Sequence, residues 1–179
     1  TNQEVKLTVE DLKNAIRDIP DFPQKGVIFK DITPLLNDPD LFRESVDLMA
    51  QEFADKNIDS VVCVEARGFI FGAAVAYKLG AALVPVRKEG KLPYRTRKVS
   101  YSLEYGQATV EIHEDAIRPG SRVLIIDDLL ATGGTLAASV DLVREHGGEI
   151  IGVAVLIELD FLEGRDQLKD IPIFTLIHY

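Results

Sequence analysis

Val123-Leu124-Ile125-Ile126-Asp127-Asp128-Leu129-Leu130-Ala131-Thr132-Gly133-Gly134-Thr135 is the stretch that decides the fold. Val123–Ile126 is a short, continuous apolar run, which reads as a strand buried on both faces, as in a parallel sheet. Two carboxylates stand at its end, and a small Gly- and Thr-rich turn leads into helical periodicity over Thr135–His146, closed by Gly147. Gly133 and Gly134 let the backbone turn its N–H groups inward as a nest, and Thr132 and Thr135 add hydroxyl donors at the positive end of the helix dipole. Such a loop suits a terminal phosphate. At a frayed strand end, Asp127 and Asp128 can each accept a proton from a vicinal diol, and ribose is the natural diol. Either half alone reads as a solvated strand end or an ordinary helix entry; the two together, at this spacing, point to a sugar phosphate. No G-x-x-x-x-G-K-[ST] or G-x-G-x-x-G occurs, so a P-loop nucleotidase and a dinucleotide site both lose their main support.

Working outward, Ser60–Val64 reads as a second buried strand, Phe69–Leu79 as a helix closed by Gly80, and Ala81–Val86 as a strand, a βαβ unit. Ile150–Ile157 is a further strand. Thr8 and Asp11 form a capping-box pattern for a helix carrying Val9, Leu12, Ile16 and Ile19 and stopping at Pro20. A second helix is predicted from Asp38-Pro39 to about Asn57, with Leu41, Phe42, Val46, Met49 and Phe53 inside. Between Val99 and Ile112 the pattern changes to alternation around Tyr105-Gly106, an antiparallel hairpin projecting from the parallel sheet. The fold class is therefore α/β, a doubly wound, mostly parallel sheet in a single domain over residues 1–179. Ligands of such sheets bind beyond the carboxyl ends of the strands, at the loops that begin at Glu65, Arg87 and Asp127.

With 46% hydrophobic residues in 179, the chain can bury a substantial core. Its net charge of −9 repels polyanions, which argues against nucleic acid or an anionic membrane as the main partner. The single cysteine, Cys63, sits in an apolar run and points to a core position and a reducing compartment. No signal pattern stands in TNQEVKL, and the longest apolar stretch, Phe69–Tyr77, is too short to span a bilayer, so a soluble, cytoplasmic chain is expected. His113, His146 and His178 lack metal-ligand spacing.

Two further segments carry charge where an anion would need it. Glu65-Ala66-Arg67-Gly68-Phe69 links a strand to a helix, aiming its backbone N–H groups and the Arg67 guanidinium at a second anion. Arg87–Lys98 holds six basic residues (Arg87, Lys88, Lys91, Arg95, Arg97, Lys98) against one acidic residue, Glu89, in an acidic chain. A run of this kind also occurs as a plain solvated face.

VLIIDDLLATGGT resembles the 5-phosphoribosyl-1-pyrophosphate (PRPP) signature of type I phosphoribosyltransferases, and FPQKGVIFKDITPLL, EARGFIFG, VRKEGKLP and YSLEYG stand in the order found in the adenine-specific members. The resemblance covers nearly the whole chain. It implies a five-stranded parallel core, a flexible hood at about residues 87–112, a homodimer, and Mg²⁺-dependent transfer of phosphoribose from PRPP to N9 of adenine, giving AMP and pyrophosphate. On this resemblance Asp127, Asp128, Ala131, Thr132, Gly133, Gly134 and Thr135 hold the ribose and 5′-phosphate. Ala66, Arg67 and Gly68, through a non-proline cis peptide, hold pyrophosphate with Arg87, Lys88 and Lys91. The adenine residues would be Val27, Ile28, Phe29, Lys30 and Leu159. Mg²⁺ would be carried by PRPP oxygens with no direct protein ligand. Arg67, Glu104 and Tyr105 would serve the chemistry: alternation puts Glu104 on the polar face of the hairpin, for a role in proton movement at the purine while Tyr105 positions the base. A transferase for another base, and a PRPP-sensing regulator without catalysis, are the competing readings; the second would call for an added DNA-binding region.

Overall fold

The computed structural model describes residues 6–179; most of the TNQEVKL segment, on which the signal-pattern reading falls, lies outside them. The chain divides into two compact units, the first ending at Leu48 and the second running Met49–Tyr179.

In the first unit, α1 (Val9–Asn14) opens with the predicted capping box. Thr8 Oγ1 accepts from the Asp11 N–H, and the Asp11 carboxylate accepts from the Thr8 N–H at 2.7 Å. The helix ends at Asn14, earlier than its apolar spacing suggested. Arg17–Pro20 forms a strand, β1, paired antiparallel with β2 (Ile28–Asp31). Two cross-strand ion pairs, Arg17–Asp31 at 2.8 Å and Lys30–Asp18 at 2.6 Å, accompany that pairing, and Pro20 cannot donate to a helical ladder. A short helix, α2 (Thr33–Leu36), follows. Next, α3 (Pro39–Phe53), whose last residues from Met49 on are counted in the second unit, buries Val46, Met49 and Phe53 of the predicted inner face; Leu41 and Phe42 are half-buried.

The second unit is built on one seven-stranded sheet. Its strands are β3 (Ser60–Val64), β4 (Ala82–Lys88), β5 (Thr96–Ser102), β6 (Gln107–His113), β7 (Arg122–Leu130), β8 (Glu149–Glu158) and β9 (Ile173–His178). They lie in the order β5-β6-β4-β3-β7-β8-β9, and β4-β3-β7-β8-β9 pair in parallel, the five-stranded core that the resemblance implies. The hairpin β5–β6 extends the edge of this sheet, and β6 pairs with β4 only at Arg87↔Glu111 and Lys88↔Val110. Strand β9 was not recognised in the sequence. Helix α4 (Gly68–Leu79) follows β3 and ends on Gly80 at φ 65°, and α5 (Gly134–Glu145) follows β7.

Burial explains the sheet's centre. Val61–Cys63 and Val123–Ile126 are inaccessible to solvent, as continuous apolar strands require when both faces are covered. Gly72 lets α4 lie against β3, since a Cβ there would collide with Cys63. Cys63 is buried as expected, and burial, reinforced by the Asp127 charge, pushes its thiol up to about 12. Among the described residues no helix is long and apolar enough to cross a membrane.

Candidate functional site

The chain leaves β3 for β4 on one side and returns through β7 on the other, so a topological switch point lies between β3 and β7. A crevice opens there, at the carboxyl ends of the strands. The β3–β7 ladder stops at Cys63↔Ile126, whereas β7 continues beside β8 as far as Leu130↔Glu158. Asp127 and Asp128 therefore lie inside a strand that has lost one neighbour, not at the frayed end that the sequence suggested. The added length of β7 has a clear cause, because Leu129 and Leu130 pair with β8 and Leu130 is buried.

A cleft of about 210 Å³ occupies this gap. It brings together Ala66, Arg67, Asp127, Asp128 and the loop Ala131–Thr135, residues widely separated in the chain but all expected at one ligand. Gly133 precedes α5 at φ 89°, a left-handed conformation natural to glycine. Gly68 closes tightly over the floor: a Cβ there would stand 2.9 Å from Asp127 Oδ1. The Glu65–Ala66 peptide is cis, as the resemblance implies.

The charges are arranged in pairs. Arg67 Nε donates to Asp128 Oδ2 at 2.6 Å, and Asp127 Oδ1 accepts the Asp128 N–H at 2.8 Å. Burial, then the neighbouring Asp128 carboxylate, push the Asp127 carboxyl well above the ordinary carboxylate range. Asp128 thus carries the guanidinium, while Asp127 beside it holds its proton more tightly than an ordinary carboxyl.

Glu65 was not singled out from the sequence, yet it organises the cations beside the cleft. Its carboxylate accepts the Lys88 N–H and Lys91 Nζ, the latter at 2.9 Å, with Arg87 at 3.5 Å. Burial alone would raise its pKa; the Lys88 N–H and the Lys91 and Arg87 charges outweigh that and hold it below the usual value. Among the described residues, Arg87 Nε is a buried side-chain polar atom with no hydrogen-bond partner, a donor that an added anion could satisfy. The rest of the basic run is engaged by partners elsewhere than the cleft. Arg95 pairs with Glu114 at 2.8 Å, Lys98 with Glu89 at 2.6 Å, and Arg97 donates to the Glu145 carbonyl.

Glu104 needs correcting in one respect. Strand β5 ends at Ser102, and Leu103 N–H donates to the Gly106 carbonyl at 3.0 Å, closing a turn with Gly106 at φ 88°. Glu104 and Tyr105 stand at that exposed tip, with Tyr105 87% exposed, so Glu104 does not belong to a strand face. Tyr101, on β5, does reach the Ala131–Thr135 loop: its hydroxyl meets Thr135 Oγ1 at 2.7 Å, and its ring would stand 3.0 Å from a Cβ on Gly134. Leu159 follows β8 and gives its N–H to the Leu130 carbonyl at 3.0 Å. Val27–Lys30 lie in the first unit. There Phe29 pairs with Ile19 across the ladder, its ring is edge-on to Phe22 at 5.2 Å, and Ile28 is exposed.

A phosphoribosyl transferase domain matches residues 31–176. The chain belongs to the phosphoribosyl transferase domain family. It is 56% identical over 173 residues to the adenine phosphoribosyltransferase of Acidobacterium capsulatum, covering 97% of this chain and 96% of that protein. To the one of Solidesulfovibrio magneticus it is 59% identical over 159 residues, covering 89% and 93%. The crystal structure of adenine phosphoribosyltransferase from Thermoanaerobacter pseudethanolicus superimposes with a TM-score of 0.93 at 50% identity, covering 96% of this chain and 100% of that one. The Saccharomyces cerevisiae enzyme, complexed with adenine and an imino-altritol bisphosphate, gives 0.89 at 41% identity, covering 94% and 97%. The crevice between β3 and β7 is thus the candidate site of a chain in this family.

Proposed function

We propose that the chain transfers the 5-phosphoribosyl group of PRPP to N9 of adenine, forming AMP and releasing pyrophosphate. The observation that carries the reading is the cleft itself, where a guanidinium, two carboxylates and a glycine loop meet between β3 and β7. The preference for adenine rests on the adenine phosphoribosyltransferases to which the chain is similar over nearly its full length.

In this reading the N–H groups and hydroxyls of Ala131–Thr135 receive the 5′-phosphate, and the ribose hydroxyls donate to Asp127 and Asp128. Arg67, the Ala66–Gly68 backbone, Arg87, Lys88 and Lys91 take the diphosphate. The bond from C1′ to the diphosphate oxygen breaks as adenine N9 bonds to C1′, and the N9 proton leaves. Fixing C1′ against N9 and neutralising the departing diphosphate are the protein's main contributions. Glu104 is assigned to proton movement at the purine and Tyr105 to positioning it; Val27, Ile28, Phe29, Lys30 and Leu159 are assigned to the base.

Among the described residues, the group of three acidic or histidine side chains close enough to share an ion is Glu158, Asp160 and His178. Glu158 already carries Arg165 there. In the cleft, Asp128 already carries Arg67, so an Mg²⁺ ion would arrive with PRPP, and Asp127 and Asp128 would be the hard oxygens beside it. Bound there, the ion would offset charge on the leaving group. A cytoplasmic homodimer is the working form this reading implies.

The test is a panel: PRPP and Mg²⁺ with adenine, hypoxanthine, guanine or uracil. Nucleotide from adenine alone is expected. Nucleotide from another base would move the specificity, and none from any base would remove the transferase reading.

A further inference from the structure

The phosphate loop is made of small residues, and α5 has no side-chain cap: its N-cap is Gly133, with no side-chain hydrogen bond. Such a segment gains little stiffness from itself. Support comes from the turn after β8. Gly164 is buried there with its backbone against the loop: a Cβ on Gly164 would collide with the Ala131 carbonyl, and one on Gly133 with the Gly164 carbonyl. Gln167 Nε2 donates to the Thr132 carbonyl at 2.8 Å. The turn is itself anchored, because Arg165 makes two hydrogen bonds to the buried Glu158, whose Oε2 also accepts from Thr175 on β9 at 3.1 Å.

We propose that Gln167 is a positioning residue for the 5′-phosphate, acting through the Thr132–Gly133 peptide. In a planar trans peptide the C=O and the following N–H point in opposite directions. Drawing the Thr132 carbonyl outward to Gln167 turns the Gly133 N–H to the cleft side, where a phosphate oxygen can accept it. Gly164 supplies the close approach and Arg165 the anchor. This inference rests on the assignment of Ala131–Thr135 to the 5′-phosphate and adds to it a residue outside the loop.

Gln167 is exposed, so its substitution should leave the fold intact. In Gln167→Leu the donor is lost; in Gln167→Glu a carboxylate faces the carbonyl instead. Turnover of adenine and PRPP by the unmodified protein is measured first, which tests the underlying reading separately. For Gln167→Leu, the KM for PRPP and the inhibition constant of ribose 5-phosphate should rise about tenfold, the effect of one lost hydrogen bond to a loop holding an anion, and further in Gln167→Glu. The dissociation constant of pyrophosphate, the KM for adenine and the melting temperature should stay near their original values. If the unmodified protein formed no AMP, calorimetric binding of ribose 5-phosphate would still read the support. Unchanged ribose 5-phosphate binding in both variants, or equal loss of every ligand with a falling melting temperature, would overturn the proposal.

Discussion

Arg67 Nε lies 2.6 Å from Asp128 Oδ2, so a guanidinium expected to face pyrophosphate and a carboxylate expected to face ribose neutralise each other across the cleft. Arg67 is about half exposed at 47%, which limits what this pair contributes to the free protein's stability. Its consequence under the proposed function lies in binding: an entering diphosphate would compete with Asp128 for the same guanidinium. Arg67→Ala should weaken pyrophosphate by about tenfold or more while shifting the KM for adenine much less. Isothermal titration with pyrophosphate, beside steady-state kinetics in adenine, checks this; equal loss of both ligands would instead indicate a damaged fold.

Asp127 should make the free protein less stable as pH rises. Its carboxyl is pushed up by burial and by Asp128, so the folded state holds the proton more tightly than the unfolded state does. The resulting penalty is absent below the ordinary carboxylate range and grows as pH climbs from there towards the raised value. Asp127→Asn removes it and keeps an oxygen for the Asp128 N–H. Its melting temperature should match the original near pH 4 and exceed it by about 2 °C or more at pH 7, while its KM for PRPP rises. A variant less stable at both pH values would contradict this.

The sheet and its crevice were legible in the sequence because apolar runs such as Val61–Val64 and Val123–Ile126 carry their burial in their composition. What escaped depended on partners distant in the chain. The segment around Ile16 and Ile19 has helical spacing, but pairing with β2 made Arg17–Pro20 a strand. Leu129 and Leu130 look like a loop until β8 lies beside them, and Gly164 resembles an ordinary turn glycine until Ala131 is placed against it. Glu65 was overlooked for the same reason, since the Lys88 N–H and Lys91 approach it only in the folded chain.

The hood should open and close on its attachment to β4. Strand β6 meets β4 at just two register pairs; Arg97 adds a tie to the Glu145 carbonyl of α5, and the Tyr101–Thr135 hydroxyl contact at 2.7 Å adds a second, to the Ala131–Thr135 loop. Limited proteolysis is expected to cut between Arg87 and Tyr101, more slowly with PRPP and Mg²⁺ present. Tyr101→Phe removes the second tie and should speed cleavage of the free protein about two- to fivefold, the effect of one modest hydrogen bond. Protection independent of ligand, and cleavage indifferent to Tyr101, would argue against a closing hood.

Glu104 sits at an exposed turn, so an idle residue there would contribute nothing to turnover. Glu104→Gln should lower kcat by at least about tenfold with PRPP binding nearly unchanged, and Glu104→Ala further, the range expected of a proton-transfer group. Tyr105→Phe should cost less. Unchanged kcat in Glu104→Ala would return the residue to the solvent-facing surface.

The most direct measurement is phosphorus NMR of PRPP and Mg²⁺ with the protein, with and without adenine. With adenine, the diphosphate signals of PRPP should give way to free pyrophosphate, one for each AMP formed, with the 5′-phosphate retained in the nucleotide. Without adenine, PRPP should persist. Loss of diphosphate with no AMP, or equal loss whether or not adenine is present, would contradict transfer to the base.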